Sequence, residues 1–176
     1  MRRAAMFVAG LLLTAVLAAA SVRPGEIDGA IAADKPYGTA SLTWFFLTAY
    51  EASLWTDAPQ WSMDRPFALS LTYKLSFTRD ELVERTLEEM KKVSPSLTRD
   101  VLARHGAALN SVYPDVKSGD RVTALHMPGE GVRFFHNGRL TGEVGDPSFA
   151  EPFFGIWLSP RTSEPKMRAA LLGLSG

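Results

Sequence analysis

Between residues 67 and 77 the chain alternates. Leu69, Leu71, Tyr73 and Leu75 are apolar, and Ser70, Thr72, Lys74 and Ser76 between them are polar. That is the period of a strand with one buried face. At Thr78 the period lengthens. Thr78 and Glu81 have the spacing of a capping box, and Leu82, Val83, Thr86, Leu87 and Met90 then fall on one side of a helix running to about Val93. Its charged residues Glu84, Arg85, Glu88, Glu89 and Lys92 fall elsewhere and read as a solvated face. After the break at Ser94-Pro95, a second helix from about Thr98 to Val112 stacks Leu102, His105, Leu109 and Val112. Upstream, residues 38–55 are dense in Thr, Trp, Phe, Tyr and Leu and predict two strands.

A run of hairpins follows the helices. Residues 121–127 alternate into a turn at Pro128-Gly129-Glu130-Gly131, residues 132–136 return, and Asn137-Gly138 turns the chain into residues 139–144. Asn-Gly suits a type I′ turn because both residues tolerate positive φ. Asp146-Pro147 announces a helix carrying Phe149, Phe153, Phe154 and Trp157; Ser163 is placed to cap a last helix, which Gly173 ends. Strands, helices, strands, helices predict an α+β fold: an antiparallel sheet packed on one face by a layer of helices.

A four-residue turn at 128–131 sets Met127 opposite Val132, His126 opposite Arg133 and Thr123 opposite His136. Val122, Ala124, Phe135, Leu140 and Val144 then share the face that meets the helices, and His126 and His136 point to opposite sides, which argues against a metal pair. His126 and Arg133 lie across from each other on the apolar face. One reading has Arg133 reaching water past the sheet edge. The other has Arg133, helped by His126 and a tyrosine hydroxyl such as that of Tyr50 or Tyr73, holding the carboxylate of a lipid whose tail runs along Phe135 and Leu140. A guanidinium fork matches a carboxylate.

Arg2 and Arg3, an uncharged run from Ala4 to Ala20, and small residues at Ala18-Ala19-Ala20 have the three-part form of a signal peptide, with Ser21 as the new N-terminus and a periplasmic or secreted destination. The alternative is a membrane anchor, for which the run is short and rich in Ala. Residues 21–36 show no sustained period and read as a mobile leader to a single domain at 37–176. The absence of cysteine excludes disulfides, thiolate metal sites and a cysteine nucleophile, so burial must hold the fold; ten Phe and four Trp are ample for that. Nineteen basic and nineteen acidic residues give no nucleic-acid footprint.

Tyr50-Glu51-Ala52-Ser53-Leu54-Trp55, the strand from Phe67 to Tyr73, Gly119-Asp120-Arg121, Pro128-Gly129-Glu130-Gly131, Asn137-Gly138 and Phe154-Gly155-Ile156-Trp157-Leu158 together resemble the bacterial chalcone isomerase-like family, from about Gly38 to Gly173. The resemblance implies that family's fold, with ligands held between sheet and helices. It places Thr48 at the family's active-site threonine and sets Asn110 and Tyr113 in the general region of the remaining polar groups. The arginine that stabilises developing negative charge in the plant enzymes has no counterpart, because residues 37–57 contain no Lys or Arg and Lys35 lies in the leader. No nucleotide loop or nucleophile motif is present. Asp57, Asp64, Asp115 and Asp120 sit beside turn signals, and His105 on its apolar stripe reads as a packed histidine. Two function classes lead, beside a third reading as a structural or partner-binding envelope protein. One is a binding protein for a small apolar or amphipathic molecule such as a fatty acid, with no cofactor; the other is an isomerase or intramolecular lyase acting on a carbonyl compound. The missing cation favours binding.

Overall fold

The computed structural model describes residues 22–174, so the expected signal segment lies outside the described residues. Six strands lie side by side in chain order, each antiparallel to the next: β1 (Gly38–Trp44), β2 (Leu47–Trp55), β3 (Phe67–Tyr73), β4 (Arg121–Met127), β5 (Gly131–His136) and β6 (Arg139–Val144). Helices α1 (Arg79–Val93) and α2 (Arg99–Val112) join β3 to β4, and α3 (Ala150–Leu158) and α4 (Pro165–Leu172) follow β6. The α+β expectation holds, with the helices on one face of the sheet.

Local chemistry accounts for most boundaries. The Thr78 hydroxyl accepts from the Glu81 backbone N–H while the Glu81 carboxylate accepts from that of Thr78, which fixes the start of α1. Thr98 caps α2 through the Val101 N–H. Asn137 (φ 50°) and Gly138 (φ 83°) make the expected tight turn. Gly173 ends α4 in the left-handed region. Two boundaries differ from expectation. Asp146 accepts from the Ser148 N–H and hydroxyl in the loop before α3 rather than capping that helix. Ser163 gives its hydroxyl proton to Glu89 on α1, and Pro165 opens α4.

On the helix face, Leu54, Leu69, Leu71, Ala124, Phe134 and Val144 meet Met90, Leu109, Phe149, Phe153 and Phe154 in the main core. A Cβ built on Gly142 would come within 2.8 Å of Val112 Cγ1, so glycine is what lets α2 lie so close to β6. At the other edge, Gly38 leaves room for the Leu171 carbonyl at the end of α4.

The outer face is covered as well, which corrects the reading of residues 21–36 as a mobile leader. Ile27 and Ile31 are buried against Trp55, Ala68 and Leu125, with Phe135 and Met127 at the margin. Arg23 holds this segment in a loop by donating to the carbonyls of Ala33 and Ile31, and the Asp57 carboxylate accepts from the Ala32 and Ala33 N–H groups. The Glu26 carboxylate, almost wholly enclosed, accepts from the Thr123 hydroxyl at 2.7 Å and pairs with Arg121 at 3.1 Å. Two isoleucines four residues apart are too little signal for periodicity to detect, yet enough to cover Trp55.

The β4–β5 turn is shorter than expected. Only Pro128, Gly129 and Glu130 form the loop, and Gly131 already pairs with Met127, its φ of 115° being open to glycine. The register therefore moves by one residue: His126 pairs with Val132, Leu125 with Arg133, and Val122 with His136. A one-residue slip sends every side chain of β5 to the other face. His126 and His136 consequently share the helix face, four residues apart along the ladder, or about 13 Å.

The β1–β2 turn carries no turn residues at all. Phe45 (φ 44°) and Phe46 (φ 68°) occupy two successive left-handed positions, at a cost of about 1–2 kcal/mol each relative to an ordinary conformation. Both are exposed, as is Leu47.

Candidate functional site: a cavity between sheet and helices

The strand alternation that builds the main core also aims Leu42 of β1, Tyr50 of β2 and Leu71 and Tyr73 of β3 at the helices. There they meet Leu82, Arg85, Thr86 and Glu89 of α1, Tyr113 just beyond α2, Trp157 of α3, and Glu164 and Met167 at α4. These side chains leave a cavity of about 110 Å³. A second space of about 20 Å³ lies deeper, and Leu71, Tyr73, Tyr113 and Trp157 line both.

The polar groups in this wall have defined roles. Trp157 Nε1 donates to the Tyr50 hydroxyl at 3.0 Å, so the Tyr50 proton is left to give elsewhere. Thr86 spends its single proton on the Leu82 carbonyl at 2.7 Å; at its 3.2 Å contact with Tyr113 it must therefore accept. Tyr73, its ring edge-on to Tyr50 at 5.9 Å, has no hydrogen-bond partner for its hydroxyl among the described residues. The cavity thus presents two uncommitted phenol donors in a mostly apolar wall. Burial raises the Tyr50 pKa to about 12, against the smaller opposing effect of the Trp157 hydrogen bond, and raises Tyr73 and Tyr113 as well. At neutral pH all three are fixed hydrogen-bond donors and poor general bases.

The charged edge of the cavity is internally paired. Glu89 is only 6% exposed and accepts from Ser163 at 2.6 Å, Lys92 at 2.8 Å and Arg85 at 2.9 Å. Burial opposes its ionisation, but these donors prevail and hold its carboxyl below the ordinary value. Arg85 also meets Glu88 at 3.3 Å. Glu89 belongs to this network, which corrects its assignment to a purely solvated helix face.

Of the residues singled out from sequence, Tyr50 and Tyr73 come together in the cavity wall, and Tyr113 joins them. Thr48 is half-buried, two residues from Tyr50 toward the hairpin tip, and does not line the cavity. Asn110 donates to the Gly106 carbonyl. The Arg133 and His126 clamp does not form. Arg133 lies on the outer face and pairs with Glu130 and Glu143, each at 3.0 Å, while His126 faces the helices. There His126 Nε2 meets the Met63 carbonyl at 2.8 Å, beside the Phe67 and Phe154 rings. Phe135 turns toward the outer-face cluster and Leu140 is half exposed, so neither lines a path under the helices. Both errors follow from the one-residue slip at Gly131. His105 is packed as expected, against Ser148 and the Phe149 ring. Among the described residues no group of three His, Asp or Glu side chains is arranged to hold a metal.

Sequence reasoning passed over Arg85, Thr86, Glu89 and Trp157. The available signal was Thr86, a polar residue within the apolar stripe of α1, and Trp157, the one hydrogen-bond donor among the aromatics of α3.

A single meander of strands roofed on one side by helices, with a tyrosine-walled cavity between the layers, defines a chalcone isomerase-type fold. Residues 37–173 match the chalcone isomerase-like family, and the chain belongs to it. An uncharacterized protein of Haemophilus influenzae (strain ATCC 51907 / DSM 11121 / KW20 / Rd) is 25% identical over 142 residues, covering 79% of this chain and 68% of that protein. The crystal structure of a fatty-acid binding protein of Arabidopsis thaliana superposes with a TM-score of 0.57 at 12% identity, covering 81% of this chain and 89% of the other.

Proposed function

We propose that this protein is an exported, non-catalytic binding protein that holds a small apolar or amphipathic molecule in the cavity between sheet and helices. The observation that carries the reading is the pair of unused donors, Tyr50 and Tyr73, in a wall otherwise made largely of Leu, Met and aromatic side chains. Apolar pockets with a few placed polar groups are the usual form of small-molecule sites. The likeness to a protein that binds fatty acids supports the same reading. Export rests on the three-part N-terminal segment.

Size and charge narrow the ligand. A dry cavity of roughly 150 Å³ accepts a benzene ring, so the smaller space of about 110 Å³ suits part of an acyl chain before any side chain moves. A longer chain requires the side chains shared by the two spaces to move. Arg85 is already matched by Glu88 and Glu89, and Glu164 adds another carboxylate to the lining. The site therefore favours a neutral oxygen, accepting from Tyr50 and Tyr73, over a carboxylate. The absence of any Lys or Arg in residues 37–57 supports binding without turnover.

Calorimetric titration with decanol and decanoate tests the reading. Saturable binding of decanol, at least as tight as decanoate, is expected. No saturable binding of either ligand would refute it.

A further inference from the structure

We propose that the β1–β2 hairpin tip inserts into a lipid surface and is the means by which the cavity meets its ligand. This rests on the binding function proposed above. Phe46 is 99% exposed, Phe45 78% and Leu47 60%, so three adjacent large apolar side chains project at the end of a two-strand ribbon. Exposed single hydrophobics are common, but such a cluster marks an interaction site. Its backbone carries the same message. Both phenylalanines hold left-handed φ values that Asn-Gly would take without strain, and strain of this kind persists at functional sites.

Several features select a lipid surface as the occupant. The tip is a narrow projection, not a broad face, and lies two antiparallel positions beyond the Leu42–Tyr50 pair that walls the cavity. Three strand residues from Tyr50 to Leu47 span about 10 Å, comparable with the roughly 5–10 Å depth at which amphipathic elements sit in the headgroup and acyl boundary. A tip at that depth brings the cavity wall to the membrane surface. Residues 39–50 carry no charge, and behind them Glu51 is neutralised by Lys74 at 3.0 Å. Insertion therefore needs no anionic lipid, and zwitterionic phosphatidylcholine should suffice.

The test uses protein beginning at Ser21, which contains every described residue, and the double variant Phe45→Asn, Phe46→Gly. That variant keeps the turn and relieves its φ angles, so its melting temperature should rise while its apolar tip is lost. In flotation with phosphatidylcholine vesicles, the variant should bind roughly a hundredfold more weakly or worse, the effect of withdrawing two Phe side chains from an apolar environment. Both proteins should bind decanol alike in vesicle-free solution. Equal flotation of the two, or flotation of neither, overturns the proposal. So does a wild-type dimer that the variant abolishes without any vesicle binding, because the tip would then belong to a second copy. Tip-dependent flotation without decanol binding by either protein would uphold docking and refute the cavity reading instead.

Discussion

Replacing Tyr73 and Tyr50 by Phe, one at a time, separates the roles assigned to their hydroxyls. The Tyr73 hydroxyl has no protein partner among the described residues, so Tyr73→Phe deletes an oxygen without orphaning another group. Stability should hold or rise, by up to about 1–3 kcal/mol, because an unpaired hydroxyl leaves a buried position. The Tyr50 hydroxyl is the acceptor for Trp157 Nε1 at 3.0 Å, so Tyr50→Phe leaves a buried indole N–H unmatched. That costs about 1–3 kcal/mol, or roughly 3–10 °C in melting temperature for a chain of this size. Each variant also removes one donor to a bound oxygen, which should weaken decanol by roughly twofold to tenfold and leave a pure hydrocarbon such as decane unaffected. Thermal melting and calorimetric titration of the two variants give all four quantities. If Tyr73→Phe destabilises as much as Tyr50→Phe, or if neither change affects decanol affinity, the assignment of free donors is wrong.

The segment before β1 should behave as part of the fold: Ile27→Ala, at a fully buried position, is expected to cost about 2–5 kcal/mol in chemical denaturation, and a loss below 0.5 kcal/mol would contradict its packing. Burial depresses the pKa of His126, and that of His105 despite the opposing pull of Asp146, so the unfolded chain binds more protons at these sites. Stability should be full above the unfolded value near pH 6.5 and decline as pH falls toward the folded values, with a shallower slope in His126→Phe; an unchanged slope would sink this. Intact-mass analysis of exported protein should give Ser21 as the N-terminus, whereas a membrane-embedded full-length chain would refute export. Chalcone ring closure followed by absorbance should not exceed the spontaneous rate, and turnover well above it would make the isomerase reading the better one.

The helices and most strands were legible because each is specified by neighbours in sequence. Thr78 and Glu81 fix α1, Asn137-Gly138 fixes the β5–β6 turn, and strict alternation fixes β3. What escaped was decided by contacts distant in sequence or by strain. Glu26 meets Thr123 and Arg121 nearly a hundred residues away, and nothing near Glu26 announces this. Phe45 and Phe46 adopt a conformation that propensity assigns to Asn and Gly, so the turn left no compositional mark. At Gly129 to Gly131 either glycine is able to close the hairpin, and choosing the longer loop put Arg133 and Phe135 on the wrong face. The candidate site was half visible. Tyr50 and Tyr73 stood out as hydroxyls on apolar strands, whereas Glu89 looked like ordinary helix polarity until the loop before α4 brought Ser163 to it.

The central claim is that a small ligand enters the cavity beside Tyr50, and the indole of Trp157 is placed to report it. In a ¹⁵N–¹H spectrum titrated with decanol, the Trp157 Nε1–H resonance, assigned through Trp157→Phe, should shift and saturate. The resonance of Trp55, buried on the outer face of the sheet, should stay in place. A Trp157 resonance that does not move at saturating decanol, or a shift confined to Trp55, would contradict the account.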